Sequence, residues 1–174
     1  MATKAILTPI GVASFINLKE PRPVVVGGEP RFSINLIFDE AAQKTPEFKA
    51  LQESIANAIK EKWGAKIPVN LRSPMRDGAE KEGQYAGYRA GTLFINPWTK
   101  ERPGVVDAAR NEILDLSTVY AGQHARAFVR PFAYESGANK GVGLLLDAVQ
   151  IVKDGERIDG KTSAGAAFPE YDEV

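Results

Sequence analysis

Between positions 123 and 135 the chain alternates with a period of two. His124, Arg126, Phe128, Arg130, Phe132 and Tyr134 fall on one face, and Ala125, Ala127, Val129, Pro131 and Ala133 fall on the other. Such a run reads as a strand. Its small apolar face suits packing against a core or a helix, while its large face interleaves cations with rings. An ordinary half-buried strand would hide the rings and expose the alanines. Two readings fit this face. In one, the rings meet solvent and stack on unpaired bases, contributing about 1–3 kcal/mol per base, while the arginines hold phosphates. In the other, Phe128 and Phe132 fill the interior and Arg126 and Arg130 snorkel to its rim.

The remaining pattern is that of a β-rich domain with a single helix. Residues 4–18 are rich in β-formers around Gly11, which suits a bent or bulged strand. Pro21, Pro23, Gly27, Gly28 and Pro30 predict a connecting loop. In 31–38, Phe32, Ile34, Leu36 and Phe38 face one way, and Arg31, Ser33, Asn35 and Ile37 the other, as in a half-buried strand. Phe48, Leu51, Ile55, Ile59 and Trp63 recur at helical spacing, with Thr45 as N-cap, Pro46 at the first position and Gly64 as terminator. On this spacing Trp63 anchors the helix to a core. Residues 64–88 read as a long irregular loop, 89–96 as a strand, 105–116 as a short helix or irregular crossing, and 142–152 as a last strand after a turn at 137–141. Asp154-Gly155 has hairpin-turn chemistry. About five strands with one inserted amphipathic helix and long loops predict a mainly β fold, a small closed or partly closed barrel.

The 64–88 loop repeats the cation–ring theme. Arg72, Arg76, Lys81, Tyr85, Tyr88 and Arg89 interleave, and Trp98 follows Pro97 at a strand end. These residues join Arg126, Phe128, Arg130, Phe132 and Tyr134 as candidates for a nucleic-acid interface. A plainer reading has Tyr85, Tyr88 and Trp98 lidding the core beneath the loop.

Composition narrows the chemistry. Cysteine is absent and His124 is the single histidine, so thiolate zinc sites, disulfides and multi-histidine metal sites are excluded. Asp77, Asp107, Glu112 and Asp115 show no spacing that forces them to converge as a two-metal site requires. Gly27-Gly28 is not followed by the Lys-Ser/Thr of a phosphate loop. No enzyme, metal or cofactor is therefore expected. Nor is a membrane partner, because no apolar run approaches the roughly 20 residues of a span. The start lacks a signal-peptide stretch, which suggests a soluble cytosolic protein. The net charge is zero, yet 60–102 carry nine basic and five acidic residues, while 103–174 carry seven and eleven. Three acids, Glu170, Asp172 and Glu173, close the chain. The expected division is a mildly basic domain over 1–160 and a flexible acidic tail over 161–174. Such a tail either competes for the basic surface or recruits proteins, unless it is simply a frayed terminus.

An ordered series of short segments resembles a known family. Gly11-Val12-Ala13-Ser14-Phe15-Ile16-Asn17-Leu18 comes first, then Arg31-Phe32-Ser33-Ile34-Asn35-Leu36-Ile37-Phe38, then Lys62-Trp63-Gly64. Met75-Arg76-Asp77-Gly78, Tyr85-Ala86-Gly87-Tyr88, Pro103-Gly104-Val105-Val106-Asp107, Tyr120-Ala121-Gly122 and Gly141-Val142-Gly143-Leu144 follow. Over roughly residues 5 to 158 this series is similar to a bacteriophage family of single-stranded-DNA-binding proteins, long known only as a domain of unknown function. The resemblance implies an OB fold, a non-catalytic role in phage DNA replication or recombination, and a location in the cytoplasm of the infected bacterium. The partner it implies is single-stranded DNA; weaker binding of duplex DNA or RNA stays open, because the sequence decides neither. It also implies an acidic C-terminus that regulates DNA access and docks replication or recombination proteins, although Val174 replaces the terminal aromatic expected of such tails. The competing expectation is a structural or adaptor protein of the virion that uses the same rings for protein contacts.

Overall fold

Local sequence dictates the helix at both ends. In the computed structural model, which describes residues 4–23, 26–160 and 167–171, helix α1 spans Pro46–Trp63. The Phe48 amide donates to Thr45 Oγ1 at 3.2 Å, Pro46 occupies a position that needs no N–H partner, and Gly64 stops the helix at φ 61°. Glu47 in the first turn and Lys60 and Lys62 in the last suit the helix dipole. Phe48, Leu51, Ile55 and Ala58 are buried, and Ile59 packs beside them. Trp63 is only half-buried and stands outside the main core. It is not the core anchor its spacing suggests, because its neighbours Lys60, Glu61 and Lys62 turn the last turn to solvent.

Among the described residues nine strands form one hydrogen-bonded sheet: β1 (Ile6–Leu7), β2 (Gly11–Pro23), β3 (Pro30–Phe38), β4 (Met75–Asp77), β5 (Leu93–Ile95), β6 (Trp98–Thr99), β7 (Gly104–Val106), β8 (His124–Ser136) and β9 (Asn139–Lys153). Five of them close a ring. β2 pairs with β3, β3 with β6, β6 in parallel with β9, β9 with β8, and β8 with β2. Closure removes the exposed edges an open sheet would leave, and a five-stranded closed ring is OB-type architecture. Inside it lie Ala13, Leu18, Ile34, Leu36, Phe38, Ala125, Ala127, Val129, Val142, Leu144, Leu146 and Val149, capped by the apolar face of α1. The small residues of β8 let the helix approach, and α1 packs against β8, β1 and β9.

The β2 strand is irregular beyond Gly11, between Ser14 and Asn17 and again between Asn17 and Arg22. Ser14 pairs with Asn35 and Asn17 with Ser33, so one extra residue bulges out of β2, and Phe15 there takes φ 44°. Gly11 is required by close approach, since a Cβ at that position would lie 2.8 Å from the Ile37 carbonyl oxygen.

Other expectations change on folding. β2 continues to Pro23, which shortens the predicted 21–30 loop. β3 is buried on both faces rather than one, because Tyr88, Phe94 and Asn96 cover Ile37 and Asn35. The loop at 64–88 contains β4 and a 3-10 turn, Gly78–Lys81. Only 93–95 of the predicted 89–96 strand pair, because Thr92 N closes a turn onto the Arg89 carbonyl at 3.1 Å. Residues 105–116 form no helix: β7 runs parallel to β9, and a 3-10 turn follows at Leu116–Thr118. Asp154-Gly155 does not make a hairpin. The chain runs back past Tyr120–Gly122 instead, with Ile158 N donating to the Ala121 carbonyl at 3.1 Å. In the proposed tail, Glu170 is exposed, whereas Asp172 and Glu173 lie outside the described residues.

Replacing the cap should cost stability without altering the fold. Thr45→Ala is expected to lower unfolding free energy by about 1 kcal/mol. In urea titration it should shift the midpoint with an unchanged slope.

Candidate nucleic-acid interface

The β8 alternation survives intact because its irregularities fall on the partner strand. Val129 pairs with Leu146 while Phe128 pairs with Ala148, so Asp147 is the extra residue and it belongs to β9. Ala125, Ala127, Val129 and Pro131 accordingly point inward and are buried. Arg126, Phe128, Arg130, Phe132 and Tyr134 remain together on the outside of the barrel.

The outer face is graded along the strand. At one end, Trp98 meets Phe132 edge-to-face at 5.9 Å, and Phe132 meets Tyr134 at 6.0 Å. The Phe132 ring lies over Gly143 on β9, and a Cβ there would stand 2.6 Å from the ring. Trp98 comes from β6, between Ser33 of β3 and Leu145 of β9, so the ring ladder crosses three strands. The Arg31 guanidinium sits 3.7 Å over the Trp98 ring. At the other end of the ladder, Arg72 bridges to Gly141, the partner of Tyr134, and its side chain is exposed.

The two β8 arginines are latched to the sheet. Arg126 Nε donates to Gln150 Oε1 at 2.8 Å, and Gln150 Nε2 donates to the Asp107 carbonyl at 3.2 Å. Arg130 pairs with Asp147 at 2.8 Å. Phe128 is 46% exposed and has no ring partner among the described residues, so it stands apart from the ladder.

A second aromatic group forms where the 78–96 segment folds over β2 and β3. Phe15 and Tyr85 meet edge-to-face at 4.8 Å, with Lys81 Nζ 5.5 and 5.3 Å from their rings. Arg76 lies 5.4 Å over Phe94 and pairs with Glu80. Tyr88 is buried against Ile37 and Phe94, and its hydroxyl accepts from Asn35 Nδ2 at 2.8 Å. Burial pushes that hydroxyl's pKa up, partly opposed by its hydrogen bonds with Ser14 and Asn35. In this arrangement Tyr88 offers no face to a base, and it follows the plainer reading of a core lid. Arg89 touches none of these rings. It pairs with Glu40 at 2.7 Å just beyond β3, and the pairing lowers the Glu40 pKa and raises that of Arg89.

Polar side chains join the two ring groups. Asn17 Nδ2 donates to Ser33 Oγ at 3.3 Å, and Asn96 Nδ2 donates to Asn35 Oδ1. Beside Phe15 and Tyr85 opens a groove of about 810 Å³, whose far wall carries Tyr120 and Arg157. Phe15 and Arg31 are the exposed-face residues that the alternation of β8 did not point to, whereas Ser33 and Asn35 are buried beneath them. The signal for Arg31, Ser33 and Asn35 was present, since period two already set them on one face. Among the described residues no group of acids and histidine could hold a metal ion.

Solved structures share this architecture. The single-stranded DNA-binding protein of bacteriophage Enc34, in complex with ssDNA, aligns with a TM-score of 0.75 at 22% identity, covering 87% of each chain. The same protein in a second structure gives 0.73 at 22% identity over 92% of this chain and 88% of that one. The gp2.5 single-stranded DNA-binding protein of bacteriophage T7 gives 0.67 at 15% identity over 94% and 99%. At such identities the likeness carries the fold. No curated protein matches the chain. The family model described as the ssDNA-binding protein of Enterobacter phage Enc34 matches residues 3–174. By that match, and with the barrel and its ring-lined face in agreement, the chain belongs to the Enc34 family of phage ssDNA-binding proteins.

Proposed function

We propose that the protein binds single-stranded DNA with little sequence preference, stacking bases on Trp98, Phe132, Tyr134 and Tyr85 and holding phosphates with Arg31, Arg72, Lys81 and Arg126. The observation that carries this reading is the Trp98–Phe132–Tyr134 ladder on the outside of the barrel, with a cation at each end. Rings on an open face reach bases that are already unpaired, and every base has a π-face, so such a site tolerates sequence. The Arg31 plane over Trp98 adds a charged stacking surface. Duplex DNA hides its base faces and binds through charge alone, so it and structured RNA are the weaker ligands. Family membership among ssDNA-binding proteins supports a non-catalytic role, and it leaves the virion-adaptor expectation without support. The setting that fits is phage DNA replication or recombination in the cytoplasm of the infected host. The acidic terminus, Glu170, Asp172 and Glu173, acts there by competing for the basic face or by docking replication proteins.

Fluorescence titration with oligo-thymidylate at stepped salt tests this reading. Affinity should fall steeply with salt, with a log–log slope of about −0.7 per phosphate contact. Trp98→Ala should weaken binding by about 1–3 kcal/mol, roughly 5- to 150-fold in Kd. Binding that ignores salt, or a Trp98→Ala variant with wild-type affinity, would refute it. Deleting Pro169 to Val174 should tighten binding at low salt if the tail masks the face. Unchanged affinity would exclude masking and leave the stacking site intact.

A further inference from the structure

Arg22 and Arg31 stand directly opposite one another where β2 and β3 run out of the barrel, one pair in from Pro23 and Pro30. Opposite residues of an antiparallel pair project to the same side, and like charges there destabilise the pairing. Arg31 lies over Trp98, so Arg22 rises on the ladder's side of the sheet. Neither arginine has an ion pair among the described residues. Glu29, close by, is taken by Lys100 at 3.2 Å, and Glu20 has no ion pair among the described residues. Neighbouring prolines restrict the backbone at this pair. Pro21 and Pro23 flank Arg22, and a residue before proline is pushed to extended conformation, while Pro30 precedes Arg31. The fold therefore sets two like-charged residues opposite one another in register, with the guanidinium of Arg31 over an aromatic ring.

We propose that Arg22 and Arg31 together form a phosphate site at the Trp98 end of the ladder, gripping the phosphodiester next to the base stacked at Trp98. This rests on the reading of the ladder as a base-stacking surface. Two donors converging on one phosphate convert their repulsion into shared attraction, so the site strengthens only when the strand is bound. With Arg72 beside Tyr134, it places a phosphate contact at each end of the row of rings.

The test pairs stability with binding. In free protein at low salt, Arg22→Glu sets an acid opposite Arg31 and should raise the melting midpoint by about 1–3 °C. The same variant should bind labelled oligo-thymidylate several-fold to tenfold more weakly. Arg22→Gln should make the salt slope shallower by about 0.7, one phosphate contact, and Arg22→Lys should keep most of it. A variant that is more stable and binds less tightly is the expected signature, since mere unfolding would move both quantities down together. If Trp98→Ala weakens binding while Arg22→Gln keeps the wild-type slope, the phosphate site is overturned and the stacking surface stands. A lower midpoint for Arg22→Glu would overturn the opposed-charge argument. Failure of the wild type to bind any oligonucleotide would overturn both readings.

Discussion

The long pairing of β8 with β9 organises the molecule. Because the extra residues of that pairing are carried by β9, every second side chain of β8 stays on the same side from His124 to Tyr134. The inner set is small enough for α1 to pack closely against the barrel wall. The outer set is too bulky and too charged for the interior, and it forms the ring-lined outer face. One bulge placed in β8 instead would send Phe132 and Tyr134 inward and bring alanines out. The glycines of β9 complete the arrangement, since Phe132 can lie flat only where Gly143 offers no side chain.

Charge on this surface falls into two kinds. Arg126, Arg130, Arg76 and Arg89 are engaged by Gln150, Asp147, Glu80 and Glu40, respectively. These contacts aim the side chains and, for the carboxylate pairs, offset the charge a phosphate would feel. Arg31, Arg22, Arg72 and Lys81 have no carboxylate partner among the described residues, and three of them sit against rings or at the ends of the ring ladder. Exposed ion pairs contribute little to stability, so exchanging a carboxylate for a phosphate costs the fold little. For the proposed binding the unpaired cations would contribute most, because nothing has to be displaced first.

Much of this was legible in the chain before folding. The helix could be read to its caps, since Thr45, Pro46 and Gly64 act on their own neighbours. The two faces of β8 could be read because alternation is local. The outward direction of the rings could not, as period two separates the faces without saying which one is wet. Tyr85, Tyr88 and Arg89 lie within five residues of one another and end in three environments: an exposed edge, a small core, and an ion pair with Glu40. No local rule distinguishes them, because each outcome depends on what β2 and β3 bring beneath the loop.

The sequence by itself determined the periodicities, the helix termini and the exclusion of thiol and multi-histidine chemistry, all of which depend on residues near in the chain or on residue types that are absent. Only the tertiary structure decided that β6 inserts between β3 and β9, that Trp98 thereby joins Phe132, and that Arg31 and Arg22 share its side of the barrel. Those meetings follow from ring closure among strands far apart in sequence. Closure is set by the summed packing of the interior, which no single segment encodes.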